Sequence, residues 1–433
     1  MFLLTAFLGS SRSGAGLGVP LAASLAGLVL LYLLALILAR GAVKRDTPFL
    51  LVLLLGLMMR APLIVAPPIL SDDIYRYVWD GRVQAAGVNP FRYAPAAPEL
   101  EALRDPDWQK INNRDLPTIY PPVAQAAFHF MARVLPGVAP LKALFALLDL
   151  LVLLVLRRTM GQRPGQNWRL LLYWWHPLPM LEFAWSGHVD GLGILCLLLA
   201  FVTATGPGIR CTLWAGGFLA AATLVKFPAA LAAPFLPVRR RAPAVLAFLG
   251  LAGLLYLPYM ASGVNVLGSL NTYVARWRSN DVLFGLLLRP GTAVDQPMRL
   301  MEAKLYLAAL VSGVVVLVLL LRPHPARAIL CVMGVAILFS PTVHPWYLTW
   351  LLPWIVLRFS PAFLYLTLAA FVGYHPLPGY LAGHGWHESV MVKVLALIPF
   401  AALLVWEMRR GPFGSRGESA GDGGSEPGAP SEA

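Results

Sequence analysis

Two adjacent carboxylates, Asp72 and Asp73, are the residues of this sequence best suited to chemistry. They begin the polar and aromatic segment SDDIYRYVWDGRVQAAGVNPFRYAP, residues 71–95, which lies between long apolar runs. Because such a segment is costly to remove from water, it favours a chemical role at a membrane face over simple anchoring. A carboxylate in that position can act as a general base that takes the proton of an acceptor hydroxyl.

Aromatic and basic side chains follow the two acids. Tyr75 and Trp79 are suited to contact a sugar ring, and Arg76 is suited to bind an anionic phosphate. On a helix, Asp72, Arg76 and Trp79 share one face, which slightly favours Asp72 as the base. Two structural interpretations compete with this one, since the acids can cap a helix and the aromatics can anchor it at the membrane interface.

Two later motifs add polar groups at the edges of apolar segments. His188 and Asp190, in the motif GHVD, are expected to bind acceptor or sugar, or, for Asp190, to cap the next helix. Lys226 lies in the apolar stretch ATLVKFPAALAAPF, where an ionisable residue indicates a functional site by default. We expect it to bind a donor phosphate, with pairing to Asp149 or Glu182 as the alternative.

His344 and Tyr347, in the motif SPTVHPWYLTW, have a similar setting. His344 is a candidate phosphate ligand and Tyr347 a candidate substrate contact, unless both belong to an interfacial aromatic belt. No glycine-rich nucleotide-binding motif is visible, so a sugar donor is expected to be membrane-borne. His188 and Asp190 lack a third metal ligand. We therefore predict neither a metal site nor another cofactor.

The composition defines the class of protein. Hydrophobic residues make up 58% and charged residues 13% of the 433 residues, whereas soluble domains have about 25% charged residues. Val19–Ala39 and Ala303–Leu321 have the length of a membrane-crossing helix. The sequence therefore predicts an all-α, polytopic membrane protein of about 11–13 transmembrane helices, which occupy residues 1–410.

The basic residues predict the orientation of these helices. The net charge of +13 is better explained by cytoplasmic loops than by nucleic-acid binding, because short clusters such as Arg239–Arg241 separate the apolar runs. Residues 71–122 are then a large extracytoplasmic loop of a protein in the inner or plasma membrane, and the polar motifs meet on that face. The tail 411–433 is predicted to be disordered in the cytoplasm.

Two segments do not have the length expected of a single crossing. Thr212–Leu236 is long for a single crossing and is interrupted at Lys226, so we predict two short helices that meet there. Val123–Leu135 is too short to cross the bilayer and is predicted to be an interfacial helix.

The motifs SDDIYRYVWDG, NPFRYAP, TIYPP, WWHPLPMLEFAWSGHVD, LVKFP and SPTVHPWYLTW together resemble bacterial membrane glycosyltransferases of the GT-C type. The closest likeness is to mannosyltransferases that depend on a polyprenyl-phosphate sugar, and it runs from about Arg60 to Trp406. In such families an acid of the first large external loop is the catalytic base, which corresponds here to Asp72 or Asp73. That loop usually follows the first span, whereas two spans precede it here, which suggests an additional amino-terminal helix.

The resemblance implies transfer of a hexose, with mannose expected, from a polyprenyl-phosphate donor to a glycan or lipid-linked acceptor. The expected mechanism is a single inverting displacement in which cationic side chains stabilise the departing phosphate. The alternatives are a lipid-linked-sugar flippase or small-solute carrier, which would use Asp149 and Lys226, and a glycan polymerase or ligase. Carriers tend to have paired internal repeats, and none is visible here, which favours the enzyme.

Overall fold

The computed structural model describes residues 18–41, 48–161, 166–260, 265–288, 290–292 and 296–410. The predicted cytoplasmic tail, residues 411–433, lies outside these ranges. The α-helices are α1 Gly18–Gly41, α2 Phe49–Val65, α3 Asp73–Ala85, α4 Pro122–Val134, α5 Val138–Met160, α6 Trp168–Trp174, α7 Pro177–Pro179, α8 Asp190–Ala204, α9 Ile209–Thr223, α10 Arg241–Met260, α11 Gly268–Arg276, α12 Val282–Gly285, α13 Gln296–Leu321, α14 Pro325–Leu338, α15 Leu352–Leu357, α16 Pro361–Ala369, α17 Leu377–Leu381 and α18 Val390–Arg409.

The remaining regular elements are short 3₁₀ helices, which are wound more tightly than an α-helix, and one π-helix, which is wider. They are the 3₁₀ helices Pro98–Leu103, Pro106–Lys110, Phe227–Phe235, Pro345–Leu351 and Ala370–Tyr374, and the π-helix Met180–Trp185. Within the described ranges the only extended pairing is an isolated bridge between Ser279 and Thr342. The predicted all-α class is confirmed.

Five of the described helices are long and apolar enough to cross a membrane: α1, α5, α10, α13 and α18. Four shorter apolar stretches, at α2, α8, α14 and residues 345–357, accompany them. The helix α10 buries none of its residues inside the protein, and Leu246 and Leu254 are more than half exposed. Apolar side chains directed outward along a whole helix are those of a lipid-facing surface. The multi-pass membrane class is confirmed, while the number of crossings stays a prediction.

The chain breaks at Lys226, as the sequence predicts. The helix α9 ends at Thr223, Lys226 has an extended backbone, and a 3₁₀ helix begins at Phe227. Pro228 occupies the start of that second segment, where its missing N–H and fixed φ are tolerated. The break directs the lysine side chain away from the helix axis and into the protein.

The segment between α2 and α4 forms a small folded unit of its own. Trp79, Val83, Leu100 and Ile111 form its core. The helix α3 packs closely on α4, because a Cβ on Gly81 would lie 2.4 Å from the carbonyl oxygen of Phe128. The helix α4, Pro122–Val134, lies where the sequence predicts a short helix at Val123–Leu135. Its contact with α3 supports the two acids at the start of α3.

Candidate functional site

The two acids lie at the start of α3, but neither carboxylate caps the helix. Asp72 holds the N-cap position without a capping side-chain bond, and the backbone N–H of Asp73 donates to Ser71 Oγ at 3.3 Å. Asn112 Nδ2 donates to Oδ1 of Asp72 at 2.6 Å and to Oδ1 of Asp73 at 3.2 Å. The capping interpretation is therefore wrong for both carboxylates, which are left available for other contacts.

Asp73 is the acid that faces the rest of the polar cluster. Its Oδ2 lies 3.8 Å from Nδ1 of His188, and its carboxylate interacts electrostatically with the ammonium of Lys226. Burial raises the pKa of Asp73, and the Lys226 ammonium opposes that rise. Burial and the neighbouring charge of Asp73 raise the pKa of Asp72 to about 6. Both carboxylates are thus stronger proton acceptors than an exposed aspartate.

Lys226 pairs with Asp190, so the alternative partners Asp149 and Glu182 are wrong. The ammonium Nζ lies 2.7 Å from Oδ2 and 2.9 Å from Oδ1 of Asp190. Trp350 Nε1 donates to the same carboxylate at 2.7 Å. Asp190 is fully buried whereas the Lys226 side chain is 17% exposed, so the cation is the accessible member of the pair.

Asp149 belongs to a separate polar group. Its Oδ2 accepts from Arg60 Nε at 2.8 Å, and the Arg60 guanidinium lies 3.6 Å from the centre of the Trp174 ring. Arg60 also donates to the backbone oxygens of Gly56 and Trp174. These contacts join α2, α5 and α6, so Asp149 serves the packing of the helices.

His188 and His344 lie on opposite faces of one indole ring. The ring of Trp346 stacks on His188 at 3.9 Å and on His344 at 4.3 Å, centre to centre. Burial lowers the pKa of His344 to about 3, and burial likewise lowers the pKa of His188, with Lys226 acting in the same direction. Both shifts favour the neutral imidazole, a form in which His344 can bind a phosphate by donating a hydrogen bond.

Tyr347 completes the cluster beside the lysine. The Lys226 ammonium lies 4.6 Å from the centre of the Tyr347 ring, and the hydroxyl of Tyr347 lies 3.1 Å from that of Tyr273. An aromatic face next to a cation is suited to pack against a sugar ring whose phosphate the cation holds.

Arg76 and Trp79 lie elsewhere, so the shared-face argument for Asp72 is wrong. Arg76 Nε donates to Asp80 at 2.8 Å and its Nη2 to the carbonyl of Leu116, while Trp79 is 3% exposed inside the loop core. Both side chains hold the loop together. A phosphate contact by Arg76 stays a prediction, and its buried pair with Asp80 disfavours it.

Tyr75 lies at the edge of the site rather than inside it. The ammonium of Lys110 lies 4.9 Å from the centre of its ring, and the charge of Asp72 acts on its hydroxyl. A substrate contact by Tyr75 remains a prediction.

Sequence reasoning gave no role in the site to three residues of the cluster, and it considered Glu182 only as an alternative partner for Lys226. Asn112 bridges the two acids, Trp346 separates the two histidines, and Glu182 accepts a hydrogen bond from the hydroxyl of Tyr374 at 2.6 Å. Glu182 carried a visible signal, since it is an acid within the apolar run MLEFAW. Asn112 carried none, because its position depends on how the loop folds back.

No cluster of three or more His, Cys, Asp or Glu side chains that could hold a metal ion occurs within the described part of the chain. What the cluster does contain is a pair of half-buried acids, a partly exposed lysine, two buried imidazoles and tyrosine rings, on segments remote in sequence. A multi-pass helical protein with such a group is equipped for group transfer between polar substrates at a membrane.

Comparison with known families identifies the transferred group. Residues 2–240 match the N-terminal domain of the alpha-(1->6)-mannopyranosyltransferase family. Because the match covers more than half of the 433 residues, the chain belongs to this family. It is therefore a membrane glycosyltransferase that transfers mannose. Neither the curated proteins nor the solved structures contain a match.

Proposed function

We propose that this protein moves a mannosyl group from a polyprenyl-phosphate donor to a glycan or lipid-linked acceptor at the extracytoplasmic face. One observation supports the proposal most directly. Asp73, His188, Lys226 and His344 come from four distant parts of the sequence and lie in a single cluster. The cluster supplies a base and a phosphate-binding cation, the two groups that glycosyl transfer from a phosphate requires.

Asp73 acts as the base in this proposal. It faces His188 and the Lys226–Asp190 pair, whereas Asp72 lies beside Asn112, Asp73 and Tyr75. Asp73 takes the proton of the acceptor hydroxyl while the hydroxyl oxygen forms a bond to the anomeric carbon. The bond from that carbon to the phosphate oxygen breaks in the same step, so the configuration is inverted.

Lys226 stabilises the phosphate as it departs. The leaving oxygen takes the bonding electron pair, and the ammonium of Lys226 lies where it can offset the added negative charge. His344 supports the same oxygen by donating a hydrogen bond from its imidazole N–H. Asp190 holds the lysine in place through a buried ion pair.

A lipid-linked donor agrees with the surroundings of His344. Next to it lies an apolar pocket whose lining includes Val282, Leu338, Val343 and Leu348. An isoprenoid chain is apolar and branched, so part of it could contact these apolar side chains while its phosphate points toward the cluster. A carrier would need Asp149 and Lys226 to act together, and these two residues belong to separate ion pairs.

Substitution of the two acids tests the assignment. Asp73→Asn keeps the shape of the side chain but removes the proton acceptor, so we expect mannosyl transfer to fall about a hundredfold or more. Asp72→Asn should reduce it less than about tenfold, because it changes only the charge beside the base. The measurement is the transfer of labelled mannose from polyprenyl-phosphate-mannose to membrane extract by the purified protein.

Thermal unfolding of both variants provides the control for folding. If Asp72→Asn is the inactive variant, the base is Asp72 and the assignment to Asp73 is wrong. If both variants transfer mannose at rates near wild type, the proposed site does not carry the reaction.

A further inference from the structure

Three buried polar side chains form a line behind the proposed base, Asp73. The hydroxyl of Tyr374 lies 2.6 Å from Oε1 of Glu182, and Oε2 of Glu182 lies 3.5 Å from Nε2 of His188. Nδ1 of His188 then faces Oδ2 of Asp73 at 3.8 Å. The line joins the 3₁₀ helix Ala370–Tyr374, the π-helix Met180–Trp185, the turn before α8, and α3.

Polar atoms of Glu182 and His188, in the middle of this line, lack hydrogen-bond partners within the described residues. Glu182 and His188 are fully buried, and Oε2 of Glu182 and both ring nitrogens of His188 have no hydrogen-bond partner within the described part of the chain. Leaving such buried groups unpaired is destabilising. Separations of 3.5 and 3.8 Å are slightly too long for hydrogen bonds. Catalytic hydrogen bonds commonly shorten when substrate binds.

The hydrogens on these side chains determine which atom donates and which accepts at each step of the line. The Tyr374 hydroxyl donates to Oε1 of Glu182. For Asp73 to remain a proton acceptor, Nδ1 of His188 must carry the hydrogen that points at it. Nε2 of a neutral imidazole is then an acceptor, and within this line a protonated Oε2 of Glu182 is the group that can satisfy it.

We propose that Glu182 is a neutral carboxylic acid that fixes the tautomer of His188 and thereby directs an N–H at the Asp73 carboxylate. Glu182 and His188 are positioning residues, since they act on the reaction through Asp73. The inference rests on the proposed function for the role of Asp73. No proton is transferred along the line during turnover, because each group keeps its hydrogen and only the hydrogen bonds shorten.

The groups around the line agree with these protonation states. Glu182 faces Tyr374, Ser186 and His188, and within the described residues no lysine or arginine lies within ion-pair distance of its carboxylate. Asp190 and Lys226 act on Glu182 from further away and in opposite directions, and burial of its carboxyl group favours the neutral form. His188 faces Asp73, Trp346 and the positive charge of Lys226, which disfavours an imidazolium.

The tautomer of His188 is directly measurable by ¹⁵N solid-state NMR of histidine-labelled protein in lipid bilayers at neutral pH. His188→Gln assigns the signal by its loss. Two other histidines serve as internal references. Nδ1 of His176 accepts from the backbone N–H of Leu178, whereas Nδ1 of His375 faces the carbonyl of Val372 while Nε2 accepts from Ser389 N–H. We expect His188 to resemble His375, with the hydrogen on Nδ1. A resemblance to His176, or an imidazolium signal, overturns the proposal.

Mannosyl transfer tests the same inference through variants of Glu182. Glu182→Gln retains a donor toward Nε2 of His188, whereas Glu182→Met keeps the length of the side chain but has no donor. We expect Glu182→Met to lower kcat at least tenfold with little change in KM, and Glu182→Gln to be at least tenfold more active than Glu182→Met. Equal loss in both variants, or wild-type kcat in Glu182→Met, overturns the proposal.

The two measurements separate this inference from the proposed function. The tautomer of His188 is read without any sugar donor, so it stands even if Asp73→Asn remains active. Should Glu182→Met fail to fold, the NMR result of the wild-type protein still decides the matter.

Discussion

At the residue scale, the site depends on one buried ion pair. Asp190 is completely enclosed and accepts from Lys226 and from Trp350, while Lys226 remains partly accessible. Removing one member of a buried pair is strongly destabilising, because the other charge is left uncompensated. The pair therefore combines a structural role for Asp190 with a role in donor binding for Lys226.

These two roles of the pair are separable by mutation. We expect Lys226→Met to destabilise the protein by about 3 kcal/mol, since it leaves the Asp190 charge buried and unpaired. Adding Asp190→Asn should restore much of the thermal stability without restoring mannosyl transfer, because no cation then meets the donor phosphate. Thermal unfolding and donor-dependent transfer rates measure the two effects.

Asp149→Asn supplies the matched control for this experiment. It removes a buried acid that pairs with Arg60 instead, so it should not stabilise the Lys226→Met variant. Recovery of transfer in the Lys226→Met, Asp190→Asn double variant would contradict a donor-binding role for Lys226.

At the element scale, the turn between the π-helix and α8 controls how the acids meet the histidine. Gly187 has φ +77°, a conformation that residues with a side chain rarely adopt. A Cβ at that position would lie 2.5 Å from Ile74 Cδ1 in α3 and 2.9 Å from Lys142 Cγ in α5. The turn is thus held between two helices, and His188 follows it directly.

Lys142 fixes the neighbouring end of α2. Its buried ammonium donates to the carbonyl oxygens of Leu63 at 2.7 Å and Ala66 at 2.5 Å. These carbonyls lack partners within the helix end, so a cation there satisfies them and interacts favourably with the helix dipole. The chain leaves α2 at this point and reaches Asp72 a few residues later.

Gly187→Ala tests the importance of the turn. We expect it to lower mannosyl transfer at least about tenfold and to destabilise the protein by about 1–3 kcal/mol, because the backbone is strained and the side chains of Ile74 and Lys142 must move. Gly253→Ala in α10 is the control, since a Cβ there meets nothing within 4 Å. Wild-type transfer by Gly187→Ala would show that the spacing between His188 and Asp73 does not matter.

At the scale of the whole molecule, the polar cluster and the folded loop lie together, because Asp72 and Asp73 join the loop directly to the cluster. A second polar group lies near the carboxyl end of α18. There Glu407 accepts from Ser360 and lies 3.8 Å from Arg327. The distribution of basic residues predicts that the loop end is extracytoplasmic.

Cysteine labelling measures this orientation. In a variant without the native cysteines, we expect Glu99→Cys to react with an impermeant reagent in intact cells, and Arg322→Cys to react only after permeabilisation. Both positions are exposed in the structure, whereas the adjacent Leu100 is 1% exposed and unsuited to labelling. The reverse pattern would put the site on the cytoplasmic side and exclude the proposed external transfer.

The sequence by itself determined the features that depend on local composition. Long apolar runs specify membrane helices because no other backbone structure satisfies its own hydrogen bonds in lipid, apart from a closed barrel. The helix break at Lys226 follows from the proline two residues later. The candidate acids, histidines and lysine stood out because charged or polar groups are rare beside such runs.

Only the tertiary structure decided which of these groups meet. Lys226 pairs with Asp190, 36 residues away, and Glu182 accepts from Tyr374, 192 residues away. Arg76 instead pairs with Asp80 one helical turn further on, which disfavours its predicted contact with a phosphate. A buried charge takes the partner that helix packing brings within a few ångströms, because desolvation penalises every arrangement that leaves it alone. The spacing of residues along the chain does not predict that packing.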